Sequence, residues 1–334
     1  MHHLPRQPFV DLNLLTLTKQ ELLLKLGSAA ACEELSPVAG VCGVLVTGEL
    51  NETTPLKPPC PVISTNARSS SDLIDVCVES DQSLALLTEG IERSPIAAAT
   101  LVGLTRVNAR SSIADGLCAE SLAYSALQHS AQFEDWLAND KPTNVKQFAD
   151  PAILIDRSGN ALTLTLNRPA NRNAWSTAMR DALAEHLQYA LEDDSISHIT
   201  IRANGPSFSA GGDLTEFGSA RDAGIAHVSR QTRSPAVLMY LLSKKITAIV
   251  HGACVGAGIE LPAFAGHVTA RSDAFFQLPE VRFGLIPGAG GTASMLKRIG
   301  RSRFNYMALT GDRINASTAL KWQLIDEIDD KPNV

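Results

Sequence analysis

The sequence predicts an α/β fold, with a smaller N-terminal α/β region ahead of a larger C-terminal part. Three observations carry that expectation. Short β-branched runs, such as Ile199-Thr-Ile-Arg202 and Ile246-Thr-Ala-Ile-Val250, lead into glycine-rich turns. Stretches with apolar residues four apart follow strand-like runs, the mark of helices that cover a sheet. The 334 residues, 45% of them hydrophobic, are enough for a sizeable core and predict two domains. Residues 1–138 are expected to form an N-terminal α/β region of no assigned role and residues 151–334 the second domain. The polar stretch 139–150, which contains Pro142, is expected to link them.

In chain order, residues 41–46, 61–64 and 73–78 read as strands, with a loop at 55–61 that holds four prolines. Residues 81–106 and 121–138 read as helices. Glu120, Tyr124 and Trp136 are expected to pack against the downstream domain rather than form a site. Residues 161–166 alternate apolar and hydroxyl side chains, as a half-buried strand does. A helix over 175–191 follows from the stripe Met179, Leu183, Leu187 and Leu191, and Asp193 and Asp194 close it. Residues 199–202 and 246–250 are strands. A short helix starts at Gly258, with Pro262 tolerable in its first turn, and 267–270 and 274–276 are further strands.

Composition excludes several classes of function. A net charge of −6 and the lack of an Arg/Lys run argue against nucleic acid as a partner. No stretch reaches the length of a membrane span, and Met1-His-His-Leu-Pro lacks the charged start and apolar core of a signal peptide, so a cytoplasmic protein is expected. Six cysteines without short paired spacing read as free buried thiols.

The chemistry-bearing residues lie in two glycine-rich strand exits and just beyond. Phe208-Ser-Ala-Gly-Gly-Asp213 follows one strand and Val255-Gly-Ala-Gly-Ile-Glu260 the next, and Gln277-Leu-Pro-Glu280 comes before Gly288-Ala-Gly-Gly291. Small residues let backbone N–H groups approach a ligand, so Gly212 and Ala257 are candidates for an oxyanion hole. Either cluster alone reads more simply as a tight turn; the two together, with a glutamate after the second, favour a site. If Glu260 and Glu280 meet, they cannot both ionise easily, and one can act as base while the other acts as acid. Asp213 is expected to cap a following helix, and His251 to be a hydrogen-bonded scaffold residue.

These motifs, together with Leu166-Asn-Arg-Pro169, Asn173-Ala174, His251-Gly-Ala-Cys254, Leu278-Pro-Glu280, Gly284-Leu-Ile-Pro287 through Thr292 and Leu309-Thr-Gly-Asp-Arg-Ile314, give residues 153–326 a clear likeness. The segment resembles the crotonase superfamily of enoyl-CoA hydratases and isomerases. The resemblance implies a spiral of ββα turns that binds acyl-CoA thioesters and stabilises an enolate. It places Gly212 and Ala257 in the oxyanion hole and makes Glu260 and Glu280 the catalytic pair, where similar isomerases typically keep only the carboxylate matching Glu280. It further implies substrate or CoA contacts at Arg168, Arg172, Ala174, Ala210, Gly211, Gly256 and Gly288. Each arginine could equally be an ordinary surface residue, and Phe217, Met239 and Tyr240 could line an acyl pocket or fill the core.

Coenzyme A enters only as part of the substrate, with no other cofactor and no metal implied. The family also implies a homo-oligomer, a trimer or hexamer, and C-terminal helices beyond Asp326; the helices at 81–138 are expected to cover that surface instead. The favoured reaction is hydration of an enoyl-CoA or its reverse. The alternatives are isomerisation or thioester hydrolysis on the same scaffold, or a non-catalytic acyl-CoA-binding subunit.

Overall fold

The computed structural model describes residues 13–28, 32–143, 149–220 and 222–331. The first residues, Met1-His-His-Leu-Pro, and positions 144–148 of the expected linker lie outside them. The N-terminal region opens with strand β1 (Asn13–Thr18) and helix α1 (Lys19–Lys25), neither of them among the elements expected from the sequence, although Leu15-Thr-Leu-Thr18 alternates as 161–166 does. A reciprocal capping box of Thr18 and Glu21 starts α1. Strands β2 (Val41–Thr47), β3 (Val62–Ser64) and β4 (Val76–Cys77) complete an all-parallel sheet in the order β1-β2-β3-β4.

Each long helix expected between 81 and 138 is two helices. The first breaks into α2 (Asp81–Arg93) and α3 (Pro95–Asn108) at Ser94, which takes an extended φ of −141°. Pro95 explains the break, since it lacks an N–H and pushes the residue before it out of the helical region. The second begins earlier than expected, as α4 (Ile113–Leu127) capped by Ser112, and resumes as α5 (Ala131–Asn139) capped by Ser130.

The C-terminal part is built from β5 (Ile153–Ser158), β6 (Ala161–Leu166), α6 (Thr177–Glu192), β7 (His198–Ala203), α7 (Ala223–Arg233), α8 (Pro235–Leu241), β8 (Ile246–Val250) and β9 (Ala253–Val255). It continues with α9 (Ala257–Glu260), β10 (His267–Ala270), β11 (Phe275–Gln277), α10 (Gly291–Ile299), α11 (Arg301–Thr310), β12 (Ile314–Asn315), α12 (Ala316–Trp322) and β13 (Glu327–Ile328). The large sheet runs β13-β10-β8-β7-β6-β5, parallel except for the β5–β6 hairpin, and the small one runs β12-β11-β9. Pairs β8–β9 and β10–β11 each give one strand to either sheet, which is the repeating turn of a spiral. The helix expected from Gly258 is only the single turn α9, and Pro262 opens a separate 3-10 turn.

One apolar core runs through residues on both sides of the 139–150 stretch, joining Leu87, Leu101 and Phe133 to Leu162, Phe276 and Phe304. A second core, including Leu22, Val44 and Leu73, belongs to the N-terminal sheet alone. Close approach fastens the helices: a Cβ on Gly90 of α2 would sit 2.0 Å from the Leu309 carbonyl of α11, so only glycine permits that crossing. Buried Asp75 pairs with Arg106 of α3 and also accepts the Val62 N–H, while its carbonyl accepts from Asn305 of α11.

Candidate active site

The first glycine-rich exit runs beside the second in parallel, with Ser209 bridged to Cys254 and the Val255 N–H donating to the Ser209 carbonyl. Three residues further along each segment are Gly212 and Ala257. Trp175 donates to the Gly211 carbonyl and accepts from the Asp213 N–H, so the intervening Gly212 N–H faces the other way. Ala257 opens α9, where first-turn N–H groups have no partner within the helix. Among the described residues, neither N–H has a recorded acceptor in the protein. Gly258 must be glycine for this packing, because a Cβ there would meet the Ser209 carbonyl at 2.8 Å.

The two glutamates converge beside Gly256. That residue has φ +49°, and a Cβ on it would lie 2.4 Å from Glu280 Oε1 and 3.8 Å from Glu260 Oε1. Both carboxyls therefore face one point, and a side chain at 256 would fill it. Their surroundings differ. Glu260 Oε2 accepts the N–H groups of Ala289 at 2.8 Å and Gly291 at 2.9 Å, while Glu280 Oε2 is sealed from solvent with no hydrogen-bond partner.

A third carboxyl, from the N-terminal region, enters the same loop. Glu120 of α4 is 3% exposed; its Oε1 accepts the Gly290 N–H, and its Oε2 accepts both the N–H and the hydroxyl of Thr292. Sequence reasoning set Glu120 aside as a packing residue. Its signal was there nonetheless: on α4 it stands in line with buried Leu117 and Leu127, where an acid needs partners.

Burial raises all three carboxyls above the ordinary range. For Glu120 and Glu280 the Glu260 charge adds to the effect, and for Glu260 the amides of Ala289 and Gly291 oppose it. Glu260 is thus the one best held as a carboxylate, and Glu280, without donors on Oε2, the one best held as an acid.

A cavity of about 570 Å³ opens from the glycine loop at Gly288 and Ala289, between Trp175, Phe217 and Leu261 on one side and Tyr124 and Arg230 on the other. Phe217 does line it; Met239 is core, and Tyr240 is exposed. A Cβ on Gly288 would strike the Tyr124 ring at 2.5 Å, so α4 closes directly over the loop. Trp136 of α5 stacks on Phe133 and meets Phe217 and Phe283, tying the segments that carry Gly212 and Glu280 to the N-terminal helices.

Two sequence expectations change here. Arg168 is 8% exposed and spends its guanidinium on the carbonyls of Asp150, Pro151 and Asn167, so it anchors the chain before β5 rather than presenting charge to a phosphate. Asp213 caps a turn, accepting the Thr215 N–H and hydroxyl, and Asp222 caps the helix that follows. Arg172 is exposed in the left-handed region at φ +50°, next to half-buried Ala174. Its carbonyl accepts the Ala210 N–H, and Gly211, at φ +91°, lies against the Val255 carbonyl. His251 bonds the Gly205 carbonyl, as a scaffold histidine would.

Known proteins resemble the chain over part of its length. The family model described as Enoyl-CoA hydratase/isomerase matches residues 156–334. The 2,3-dehydroadipyl-CoA hydratase of Escherichia coli (strain K12) is 36% identical over 177 residues, which cover 53% of this chain and 68% of the relative. The 1,2-epoxyphenylacetyl-CoA isomerase of the same strain is 33% identical over 183 residues, 53% of this chain and 70% of that one. A solved enoyl-CoA hydratase of Mycobacterium smegmatis superposes with a TM-score of 0.50 at 32% identity, over 54% of this chain and 70% of its own. Glu120 lies outside the matched residues. The chain belongs to the enoyl-CoA hydratase/isomerase family, the crotonase superfamily, and is a crotonase-type acyl-CoA hydratase or isomerase.

Proposed function

We propose that the enzyme adds water across the double bond of a conjugated enoyl-CoA, or removes it, as a two-carboxylate hydro-lyase. The observation that carries this reading is the unequal pair at Gly256: one carboxyl held by two amides, the other with one oxygen sealed and unpartnered, both facing one point. Glu260 takes a proton from water as the oxygen bonds to the β-carbon. The π electrons move onto the thioester oxygen, where the N–H groups of Gly212 and Ala257 stabilise the charge; one such donor is typically worth about 3 kcal/mol. When the enolate collapses, Glu280 gives its proton to the α-carbon. Transfer of one proton from Glu260 back to Glu280, directly or through solvent, resets the site.

In this reading the acyl chain enters the cavity lined by Trp175 and Phe217. Coenzyme A is part of the substrate, and no other cofactor takes part. Arg230 on the cavity wall and the dehydroadipyl-CoA relative make enoyl chains with a distal carboxylate a natural part of the substrate panel. Isomerisation is the second reading, favoured by the unpartnered Oε2 of Glu280, which could move a proton between carbons unaided.

The test is loss of conjugated-thioester absorbance with crotonyl-CoA, longer enoyl-CoAs and a dicarboxylic enoyl-CoA. Hydration should fall at least about 10²-fold in both Glu260→Gln and Glu280→Gln. Isomerisation that survives Glu260→Gln but not Glu280→Gln would replace the hydratase reading.

A further inference from the structure

Four consecutive backbone N–H groups at the start of α10 are shared alternately between two glutamates. Ala289 and Gly291 donate to Glu260, at 2.8 and 2.9 Å; Gly290 and Thr292 donate to Glu120, at 2.8 and 3.0 Å. The Thr292 hydroxyl adds a third bond to Glu120 at 2.6 Å and accepts in turn from Asn108 of α3. The two side chains thus grip opposite faces of one loop, and neither can shift without turning the amides that hold the other. A merely structural clamp needs no charge. A buried acid next to a catalytic acid costs free energy that an amide or hydroxyl would avoid.

We propose that Glu120 is a positioning residue of the reaction, which aims Glu260 through the loop amides that the two side chains share. The proposal rests on the assignment of Glu260 as base. The groups facing Glu120 are Glu260 on α9, Glu280 on the 3-10 turn 280–283, and Arg230 on α7, with Tyr124 on its own helix and His227 bonded to neighbouring Ser121. Burial and the Glu260 charge raise the proton affinity of Glu120, while for Glu260 the Ala289 and Gly291 amides oppose the effect of burial. The catalytic site is then assembled from both parts of the chain, because its third carboxyl comes from α4.

The test compares Glu120→Gln and Glu120→Asp with the full-length wild type, reading both turnover and the pH titration of carboxyl groups by infrared difference spectroscopy. Glu120→Gln disturbs the loop that holds the Ala289 and Gly291 amides on Glu260, so the Glu260 midpoint should rise by about one unit, a tenfold gain in proton affinity. kcat should fall about tenfold or more as the loop loosens. Glu120→Asp keeps a carboxyl but shortens the reach to the same loop, so kcat should fall and the midpoint should rise, in the same direction as in Glu120→Gln. An unmoved midpoint in Glu120→Gln with kcat within about twofold of wild type overturns the proposal. The spectroscopic arm holds even if wild type hydrates none of the thioesters, which separates this inference from the reaction assigned above. If Glu120→Gln does not fold, Thr292→Val, which removes the hydroxyl that donates to Glu120 and accepts from Asn108, must raise the Glu120 midpoint and slow turnover; no change in either overturns the idea.

Discussion

Gly256 is where backbone conformation and chemistry meet most tightly. Its φ of +49° with ψ of −122° is open to glycine and strained for any other residue, by about 1–3 kcal/mol. Its missing side chain leaves the point that both carboxyls face. Gly256→Ala should therefore lower kcat by about 10²-fold, since a displacement near 1 Å at a reacting group has that effect. KM should change less, because the cavity at Trp175 and Phe217 is untouched. Steady-state kinetics together with calorimetry checks this, and a fully active, equally stable Gly256→Ala would refute the geometry. The neighbouring position behaves oppositely. Ala257 contributes a backbone N–H, so Ala257→Gly should keep activity within about twofold.

At the scale of elements, the N-terminal helices buttress the loops that carry the site. Trp136 touches Phe217, whose ring lies against Gly212, and Phe283, which shares its turn with Glu280. Trp136→Ala removes both contacts and the stack on Phe133. It should cost about 2–3 kcal/mol, less than a fully buried tryptophan because Trp136 is only partly buried, and should lower kcat as well as Tm. An unchanged kcat at lowered Tm would separate buttressing from catalysis.

Much of this architecture was legible locally. Period-two alternation marked β6 and the β-branched runs marked β7 and β8, while glycine density marked both strand exits. What was not legible depended on distant partners. Glu120 meets Gly290 across 170 positions of sequence, and no periodicity reports such a contact. Arg168 looked available because its partners are carbonyls of the chain just before β5, which a side-chain reading does not weigh. The helix breaks at Ser94 and Gln128 were missed for a simpler reason: apolar spacing continues across them, although Pro95 and Ser130 both announce them.

At the scale of the molecule, the shared core and the Asp75–Arg106 pair join the N-terminal sheet to α3 and α11. Asp75 is fully buried, and Arg106 also holds the carbonyls of Pro58 and Cys60. Arg106→Met leaves that carboxylate uncompensated and should destabilise the protein by about 3–5 kcal/mol. Equilibrium unfolding in denaturant measures it, and a loss below about 1 kcal/mol would mean that the pair contributes as little as a surface pair does.

The three buried carboxyls also give the whole fold a pH dependence of definite sign. In the unfolded chain they titrate in the ordinary glutamate range; in the native protein burial raises them, and the Glu260 charge adds to this for Glu120 and Glu280. Between those two ranges the native state binds more protons than the unfolded state, so stability falls as pH rises and levels off once the native groups have ionised. Glu280→Gln deletes one of these titrations while keeping the shape of the side chain. The variant should therefore gain on wild type as pH rises: near parity at pH about 5, and at pH about 8 a Tm higher by roughly 2–4 °C. Parallel Tm curves for the two proteins across that span would show that Glu280 ionises in the fold as it does in water. A variant that is more stable and inactive would instead show that the acid is kept for chemistry at the expense of the fold.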